Sequence, residues 1–166
     1  MKKTLLIALC SIAVAFAACN KPDEPTPVDL STYYVGNYLG QFTLTITSMN
    51  NSAVSNLNFP IDSIRMDIAK GAEANTITAT MFIEDETYQA AGTATAEKAD
   101  FGVIHLDLDK TEFTLNLDLR LECAPLQNDT LNFTGDFTGH GSAMILGQEQ
   151  QFSEVSGNVI GNLGKQ

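Results

Sequence analysis

Three side chains that metals accept as ligands, His105, Asp107 and Asp109, fall on one face of a predicted strand. Imidazole suits transition metals and carboxylate suits harder cations, so this row invites a metal-site hypothesis. Alternate residues of a strand lie about 7 Å apart, however, so the three can reach one ion only if the strand bends. They also alternate with apolar residues, as the outer residues of a half-buried strand do. We therefore predict a solvated face with no metal and no other cofactor.

Motifs for catalysis are missing from the rest of the sequence. The segment 107–112 begins like a calcium loop but lacks the glycine at its sixth position and the glutamate at its twelfth. We find no hydrolase elbow, phosphate loop, zinc spacing or paired catalytic carboxylates. A nucleophilic Cys123 needs a partner histidine, and the sequence places neither histidine beside it. The sequence predicts a protein that is not an enzyme.

The N-terminus has the features of bacterial export. Two lysines follow Met1, and the apolar run from Leu5 to Ala18 is shorter than the roughly 20 residues that span a bilayer. This pattern predicts a signal peptide over residues 1–18. The end of the run, Phe16-Ala17-Ala18-Cys19, resembles the lipobox of bacterial lipoproteins, although Phe16 replaces the usual aliphatic residue. The resemblance implies acylation at Cys19 and membrane attachment through that lipid; the alternative is an ordinary signal peptide near an incidental cysteine.

The segment after Cys19 predicts a tether and a location. Residues 20–31 contain three prolines, which favour a stiff extended chain. We therefore divide the chain into a signal peptide (1–18), a lipidated cysteine with its tether (19–31) and one domain (32–166). The acids at 23 and 24 resemble the signal that directs Bacteroides-type lipoproteins to the outer face of the outer membrane; an ordinary solvated linker is the alternative. The expected location is the outer membrane, with the periplasmic or surface side left open.

Charge and cysteine content limit the partners and the means of stabilisation. The 166 residues include 9 basic and 20 acidic side chains, for a net charge of −11. A surface this acidic is repelled by phosphate backbones, which excludes nucleic acid as a partner. Cys10 leaves with the signal peptide and Cys19 carries lipid, so Cys123 has no cysteine left for a disulfide. We predict that Cys123 is a small buried hydrophobe on an inward strand face.

The body of the chain has the period of two that is typical of strands. The clearest row places apolar residues at every odd position from Phe113 to Cys123. Such rows with short connections predict an antiparallel up-and-down barrel of about eight strands; the alternative is a β-sandwich. The apolar parity changes between Ile61 and Ile64, which predicts a bulge or a turn at Pro60 and the Asp62–Ser63 pair. Pro60 also favours an edge position or the start of a strand.

A family resemblance supports the barrel. Gly36-Asn37-Tyr38-Leu39-Gly40, leading into an alternating strand, resembles the Gly-x-Tyr-x-Gly opening of calycin-like (lipocalin-like) domains of Bacteroides-type outer-membrane lipoproteins. The glycine-rich segment 133–139 also resembles this family. The resemblance implies an eight-stranded barrel with a packed interior or a small ligand cavity, without indicating a ligand. The alternative is that these glycines only mark a bend into the first strand.

Two rows of small residues raise the question of an interior cavity. Small rows that face large ones either interdigitate or leave a wedge-shaped apolar pocket. We expect non-covalent binding of a small apolar or amphipathic molecule. The alternative is a structural, interaction or glycan-binding accessory protein with a packed interior, and the absence of tryptophan weakens the glycan hypothesis. The small residues are Ala90, Gly92, Ala94 and Ala96 in one row and Gly135, Gly139 and Gly141 in the other.

Two three-residue segments of the sequence bear on O-glycosylation of the protein. Asp62-Ser63-Ile64 and Asp129-Thr130-Leu131 resemble the O-glycosylation sequon of exported Bacteroides-type proteins. The resemblance implies possible sugar attachment at Ser63 and Thr130, both near predicted turns that have room for a glycan. A chance match to so short a pattern is the alternative.

Overall fold

A computed structural model describes residues 28–110, 113–145 and 147–166. Each strand pairs antiparallel with its neighbours in chain order, and the last strand pairs with the first, so the sheet closes into an up-and-down barrel. The predicted all-β barrel is confirmed, and the sandwich alternative is wrong because the sheet closes on itself. The elements are a short 3-10 helix, η1 (Leu30–Tyr33), and eight strands: β1 (Gly36–Met49), β2 (Ser52–Lys70), β3 (Thr76–Ile83), β4 (Glu86–Ala94), β5 (Ala99–Lys110), β6 (Phe113–Cys123), β7 (Thr130–Ile145) and β8 (Gln148–Lys165).

Alternation of side chains builds the interior. Along β6 the odd positions from Leu115 to Cys123 are buried, while Asp118 and Arg120 face solvent. Successive side chains of a strand point to opposite faces, so one face of every strand supplies the core and the other the surface. The inward faces of all eight strands form one continuous apolar core. Residues 28–166 therefore contain a complete core of their own.

The two ends of the barrel differ. The β1–β2, β3–β4, β5–β6 and β7–β8 connections lie at one end, which we call the mouth, and the other three connections lie at the opposite end, the base. The helix η1 crosses the base: the backbone N–H of Leu30 donates to Asn75 Oδ1 (2.8 Å), and the Tyr34 hydroxyl donates to the Thr95 carbonyl (3.0 Å). Because these partners belong to two different loops, η1 covers the base of the barrel.

The tyrosine of the glycine-flanked opening lies inside the base. Tyr38 is fully buried, and its hydroxyl donates to the Tyr34 carbonyl at 2.8 Å. At Gly40 an added Cβ would lie 2.0 Å from the Asn162 carbonyl oxygen, so β1 and β8 approach too closely there for any other residue. The motif thus packs a large aromatic residue against η1 and allows the first and last strands to meet.

The folded region begins earlier than predicted. The expected tether ran to residue 31, but Leu30 and Ser31 belong to η1, and Ser31 is buried. Asp29 caps this helix, since its carboxylate accepts hydrogen bonds from the Ser31 backbone N–H and hydroxyl. The predicted signal peptide and most of the predicted tether lie outside the described residues.

The parity change in β2 is a bulge, one of the two predicted alternatives. Gly40 pairs with Ile64 and Phe42 pairs with Ile61, so β2 has one more residue than β1 between these pairs. Ser63 takes up the change with a positive φ of 58°. Pro60 lies where β2 has no β3 partner, because the β2–β3 ladder starts only at Arg65. The β3 side of the proline is therefore a free edge, which is the position in a sheet where a missing N–H is tolerated.

Candidate functional site

A cavity of about 480 Å³ opens at the mouth. Ligand sites in proteins are typically concave and roughly 300–1,000 Å³, so this one has the size of a small-molecule site. Its walls come from five strands (β1, β2, β6, β7 and β8), which bring together side chains distant in sequence. The lining residues are Ile46, Met49, Leu57, Asn58, Phe59, Pro60, Phe113, Leu115, Ala143, Met144 and Phe152.

Aromatic packing confines the cavity to the mouth. Phe133 lies between Phe42 and Phe101, with ring centroids 5.5 Å and 5.9 Å apart. All three rings are buried, and Tyr38 fills the base below them. Centroid separations of about 4.5–7 Å are typical of aromatic rings that pack against each other in protein cores. Buried aromatic side chains therefore occupy the middle and base of the barrel, and the cavity lies near the hairpin turns.

A pair of rings forms one wall of the cavity. Phe59 on β2 and Phe113 on β6 contact edge to face, with centroids 5.1 Å apart and planes inclined by 68°. These strands are not neighbours in the sheet, so the contact crosses the interior. Both side chains are only partly buried. The pair thus separates the cavity from the β3–β4 side of the mouth.

Among the residues that the structure describes, the cavity lining carries no charge. None of its eleven lining residues is ionisable, although 17% of the chain is charged. Asn58, the polar lining residue, is engaged on the outer face, where its side-chain oxygen accepts a hydrogen bond from the Thr45 hydroxyl at 2.9 Å. A charged group of a ligand would lose its water in such a site without gaining an opposite charge from the described lining residues. The lining therefore favours ligands with apolar surface.

The small rows do not create this cavity. Gly139 and Gly141 face inward on β7, but an added Cβ would lie within 2.9 Å of a leucine methyl from β6 in both cases. The neighbouring leucines, Leu117 and Leu115, therefore fold over the glycines and fill the space. Ala94 is buried in the core, whereas Ala96 lies in the exposed β4–β5 loop and does not continue the row. The interdigitating alternative applies to these rows.

The predicted solvated face on β5 is observed. His105, Asp107 and Asp109 are exposed, and His105 Nδ1 lies 2.6 Å from Asp118 Oδ1 on the neighbouring strand. The histidine side chain is 80% exposed, so the contact is a surface pair. Within the described residues, no three His, Cys, Asp or Glu side chains are grouped so as to hold a metal ion.

Cys123 is a core residue. Its side chain is buried on the inward face of β6, as predicted. Burial in apolar surroundings raises the pKa of the thiol from 9.0 to about 12. A thiol with this pKa remains protonated at neutral pH, so it is not a nucleophile there.

The predicted modification sites have different surroundings. Ser63 is exposed at the β2 bulge, and Thr130 is half-buried at the start of β7, just after the turn at Asn128 and Asp129. Thr130 therefore lies beside a turn, whereas Ser63 lies at a bulge within a strand; attachment of sugar at either position stays a prediction. Cys19, the predicted lipidation site, lies outside the described residues.

Sequence reasoning missed most of the lining residues. Met49 ends β1, Phe152 lies near the start of β8, and Met144 lies near the end of β7. Each is within a few residues of a hairpin turn at the mouth. Because alternate hairpin turns of an up-and-down barrel meet at one end, the large apolar residues beside those turns are the signal that could have located the cavity.

Among the described residues, no helix has the length and apolar character that crossing a membrane requires. No protein-family model, no curated protein and no solved structure matches the chain.

Proposed function

We propose that the barrel binds a small apolar or amphipathic molecule at its mouth, without chemistry on it. The observation that carries this proposal is the uncharged cavity of about 480 Å³ bounded by the Phe59–Phe113 pair. An otherwise filled barrel with apolar space at one end fits the burial of the apolar part of one small ligand.

The rim of the cavity favours an amphipathic ligand over a wholly apolar one. Leu57 is 37% exposed and Met144 is 51% exposed, so the cavity opens to solvent between them. A ligand with an apolar body can bury that body against the lining and leave a polar end in water at the mouth. The described lining residues include no charge that could fix that polar end, so we expect recognition mainly by shape and apolar contact.

We further propose that the protein is an exported lipoprotein with a calycin-like domain, attached to the outer membrane through Cys19. The signal-like residues 1–18 and the Gly36–Gly40 opening support this proposal. The chain enters the barrel at the base, where η1 begins, and the cavity lies at the other end. In this arrangement the lipid holds the base towards the membrane, and the mouth faces away from it.

The binding proposal is tested by filling the cavity. Ala143→Leu adds bulk to the lining, whereas Ala69→Leu adds the same bulk on the exposed face of β2. We would titrate the 28–166 barrel with N-phenyl-1-naphthylamine and follow its fluorescence. We expect saturable binding to the wild type and to Ala69→Leu, and at least a tenfold loss with Ala143→Leu. Equal binding by all three barrels, or by none, would contradict the proposal.

The anchoring proposal is tested at the cysteine. Cys19→Ser removes the thiol to which the lipid is attached, so the protein should lose its acyl chains. We expect the full-length variant to leave the outer-membrane fraction after a high-salt wash, while the wild type and a Cys123→Ala control remain. Retention of Cys19→Ser in the membrane would show that the lipoprotein proposal is wrong.

The second candidate is a structural or interaction protein with a packed interior. The filled middle and base of the barrel favour it, because they leave no space beyond the mouth. The glycan-binding version has less support: Tyr34 of the adjacent tyrosine pair is fully buried, and only Tyr33 is exposed. Native mass spectrometry of protein from its own host separates the candidates, since a co-purified small molecule is expected only for the binding protein.

A further inference from the structure

The wall of the barrel is incomplete between β4 and β5. The ladder there pairs only Gly92–Ala94 with Ala99–Phe101, although β4 begins at Glu86 and β5 continues to Lys110. On its other side β5 carries an extra residue between Phe101 and Ile104, and a bulge of this kind bends a strand and increases its twist. Residues 86–91 and 104–109 therefore face one another without a ladder. We call this region the seam.

A side chain, rather than a ladder, bridges the seam. The Tyr88 hydroxyl donates to the backbone carbonyl of Asp107 at 2.8 Å. This bond shows that the Asp107 carbonyl points towards β4. Since backbone groups of a strand alternate in direction, the carbonyls two residues away on either side, those of His105 and Asp109, point the same way. The carbonyls of His105 and Asp109 are thus the groups of the β5 edge that a further strand can pair with, while the Asp107 carbonyl is held by Tyr88.

The seam contains an acid-rimmed cleft of about 370 Å³. Ile83 and Leu108 are buried, and Tyr88 is partly buried, so the floor of the cleft is largely apolar. Within the part of the lining that the structure describes, there is no basic residue. The five remaining lining residues are all acidic: Glu84, Asp85, Glu86, Asp107 and Asp109.

We propose that the seam binds an extended cationic segment of a partner protein, which adds a strand to the β5 edge. Strand addition supplies affinity through main-chain hydrogen bonds and specificity through alternate side chains. One set of side chains would lie on the apolar floor, and the other would meet the carboxylates on the outer face. The free length of each edge corresponds to a peptide of about six residues.

The charge of the seam argues for this occupant over others. Nucleic acid and anionic lipid surfaces would be repelled by five carboxylates on a chain of net charge −11. A peptide that alternates basic and apolar residues instead matches both the rim and the floor. The seam is separate from the mouth cavity, with which it shares no lining residue.

The experiment uses a fluorescent peptide of alternating lysine and valine with the 28–166 barrel. The matched variants are Asp107→Asn/Asp109→Asn in the seam and Asp129→Asn/Glu154→Gln elsewhere, which change the net charge equally at exposed positions. We expect saturable anisotropy binding at low salt. The seam variant should lose about three- to tenfold in affinity, and the control variant should lose less than twofold. The same peptide N-methylated at every second residue should not bind, because it cannot form the ladder.

Three results would overturn the proposal: absence of binding, equal losses in the two double variants, or equal affinity for the N-methylated peptide. The last two would indicate attraction to net charge without strand addition. Ala143→Leu, which fills the mouth cavity, should leave peptide binding unchanged. Peptide binding and mouth-ligand binding can therefore fail independently.

Discussion

The rings of Phe59 and Phe113 meet edge to face across the mouth of the barrel, joining two strands that share no backbone hydrogen bond. The contact has two consequences. It ties the free half of β2, which lacks a β3 partner, to the far wall, and it forms the boundary of the apolar cavity. The stability of the mouth and the shape of the candidate site therefore depend on the same pair.

The Phe59–Phe113 contact should appear as a coupling energy. We expect Phe59→Leu and Phe113→Leu to show a coupling of about 0.5–1.5 kcal/mol in a double-mutant cycle, because the edge-to-face contact adds to simple area burial. The free energy of unfolding in urea is the measurement. The pair Phe59→Leu and Phe101→Leu serves as the control, since no contact between these rings is observed and their effects should add. Additive effects for both pairs would contradict the predicted contact energy.

The inward glycines of β7 should be intolerant of substitution. At Gly139 an added Cβ would lie 2.0 Å from the Asn116 carbonyl oxygen, a backbone atom that cannot move aside without shifting β6. We expect Gly139→Ala to lower the free energy of unfolding by about 1–3 kcal/mol or more. Gly164→Ala is the matched control, because its nearest neighbour is 3.9 Å away. Equal urea midpoints for the two variants would show that the close approach does not exist.

The irregularity in β2 was predictable because it depends on local parity. The apolar row changes from odd to even positions between Ile61 and Ile64, and the extra residue of a bulge keeps both halves facing inward. The inward burial of Cys123 follows from the same alternation along β6. Periodicity in one strand is sufficient for such conclusions.

The cavity and the seam were not predictable because they depend on how neighbouring strands align. A glycine row gives no sign that Leu115 and Leu117 of the next strand fold over it. The mouth cavity arises where β3 ends at Ile83 while β2 extends far beyond the ladder that joins them. Sequence periodicity shows which side chains share a face, but it leaves their depth along the barrel axis undetermined.

Cys123 should be protected from reagents until the barrel opens. Because burial raises the pKa of its thiol to about 12, native protein at neutral pH should label far more slowly than urea-unfolded protein. The folded pKa exceeds the unfolded value of 9.0, so the contribution of this group to stability is complete below pH 9 and is lost as the pH rises towards 12. Rapid labelling of the native protein would contradict burial.

Two substitutions of Cys123 should distinguish the cost of burying a polar group from the cost of losing side-chain volume. Cys123→Ser places a hydroxyl in the core and should destabilise the barrel by about 1–3 kcal/mol. Cys123→Ala removes the sulfur without adding a polar group, and we expect a smaller loss. Urea unfolding at pH 7 measures both. A serine variant as stable as wild type would mean that the site can satisfy a hydroxyl.

The cap of η1 should make the base of the barrel sensitive to acid. Asp29 Oδ2 lies 2.6 Å from Lys70 Nζ, and Oδ1 accepts hydrogen bonds from Ser31. The pKa of Asp29 lies well below its usual value of 3.8. The contact with Lys70 is the largest cause of this depression, and the hydrogen bond from Ser31 is the next. A depressed folded pKa means that the stabilisation is present above pH 3.8 and is lost as the pH falls below it.

Carboxyl ¹³C chemical shifts measured against pH test the Asp29 prediction. The wild type should titrate well below 3.8, and Lys70→Met should move the midpoint upward, because it removes the largest cause of the depression. Lys165→Met removes a positive charge from another exposed position at the base and should leave the midpoint nearly unchanged. In parallel, the stability difference between wild type and Asp29→Asn should shrink as the pH falls below 3.8. A wild-type midpoint at or above 3.8 would show that the Lys70 pair and the Ser31 bonds do not hold Asp29 in solution.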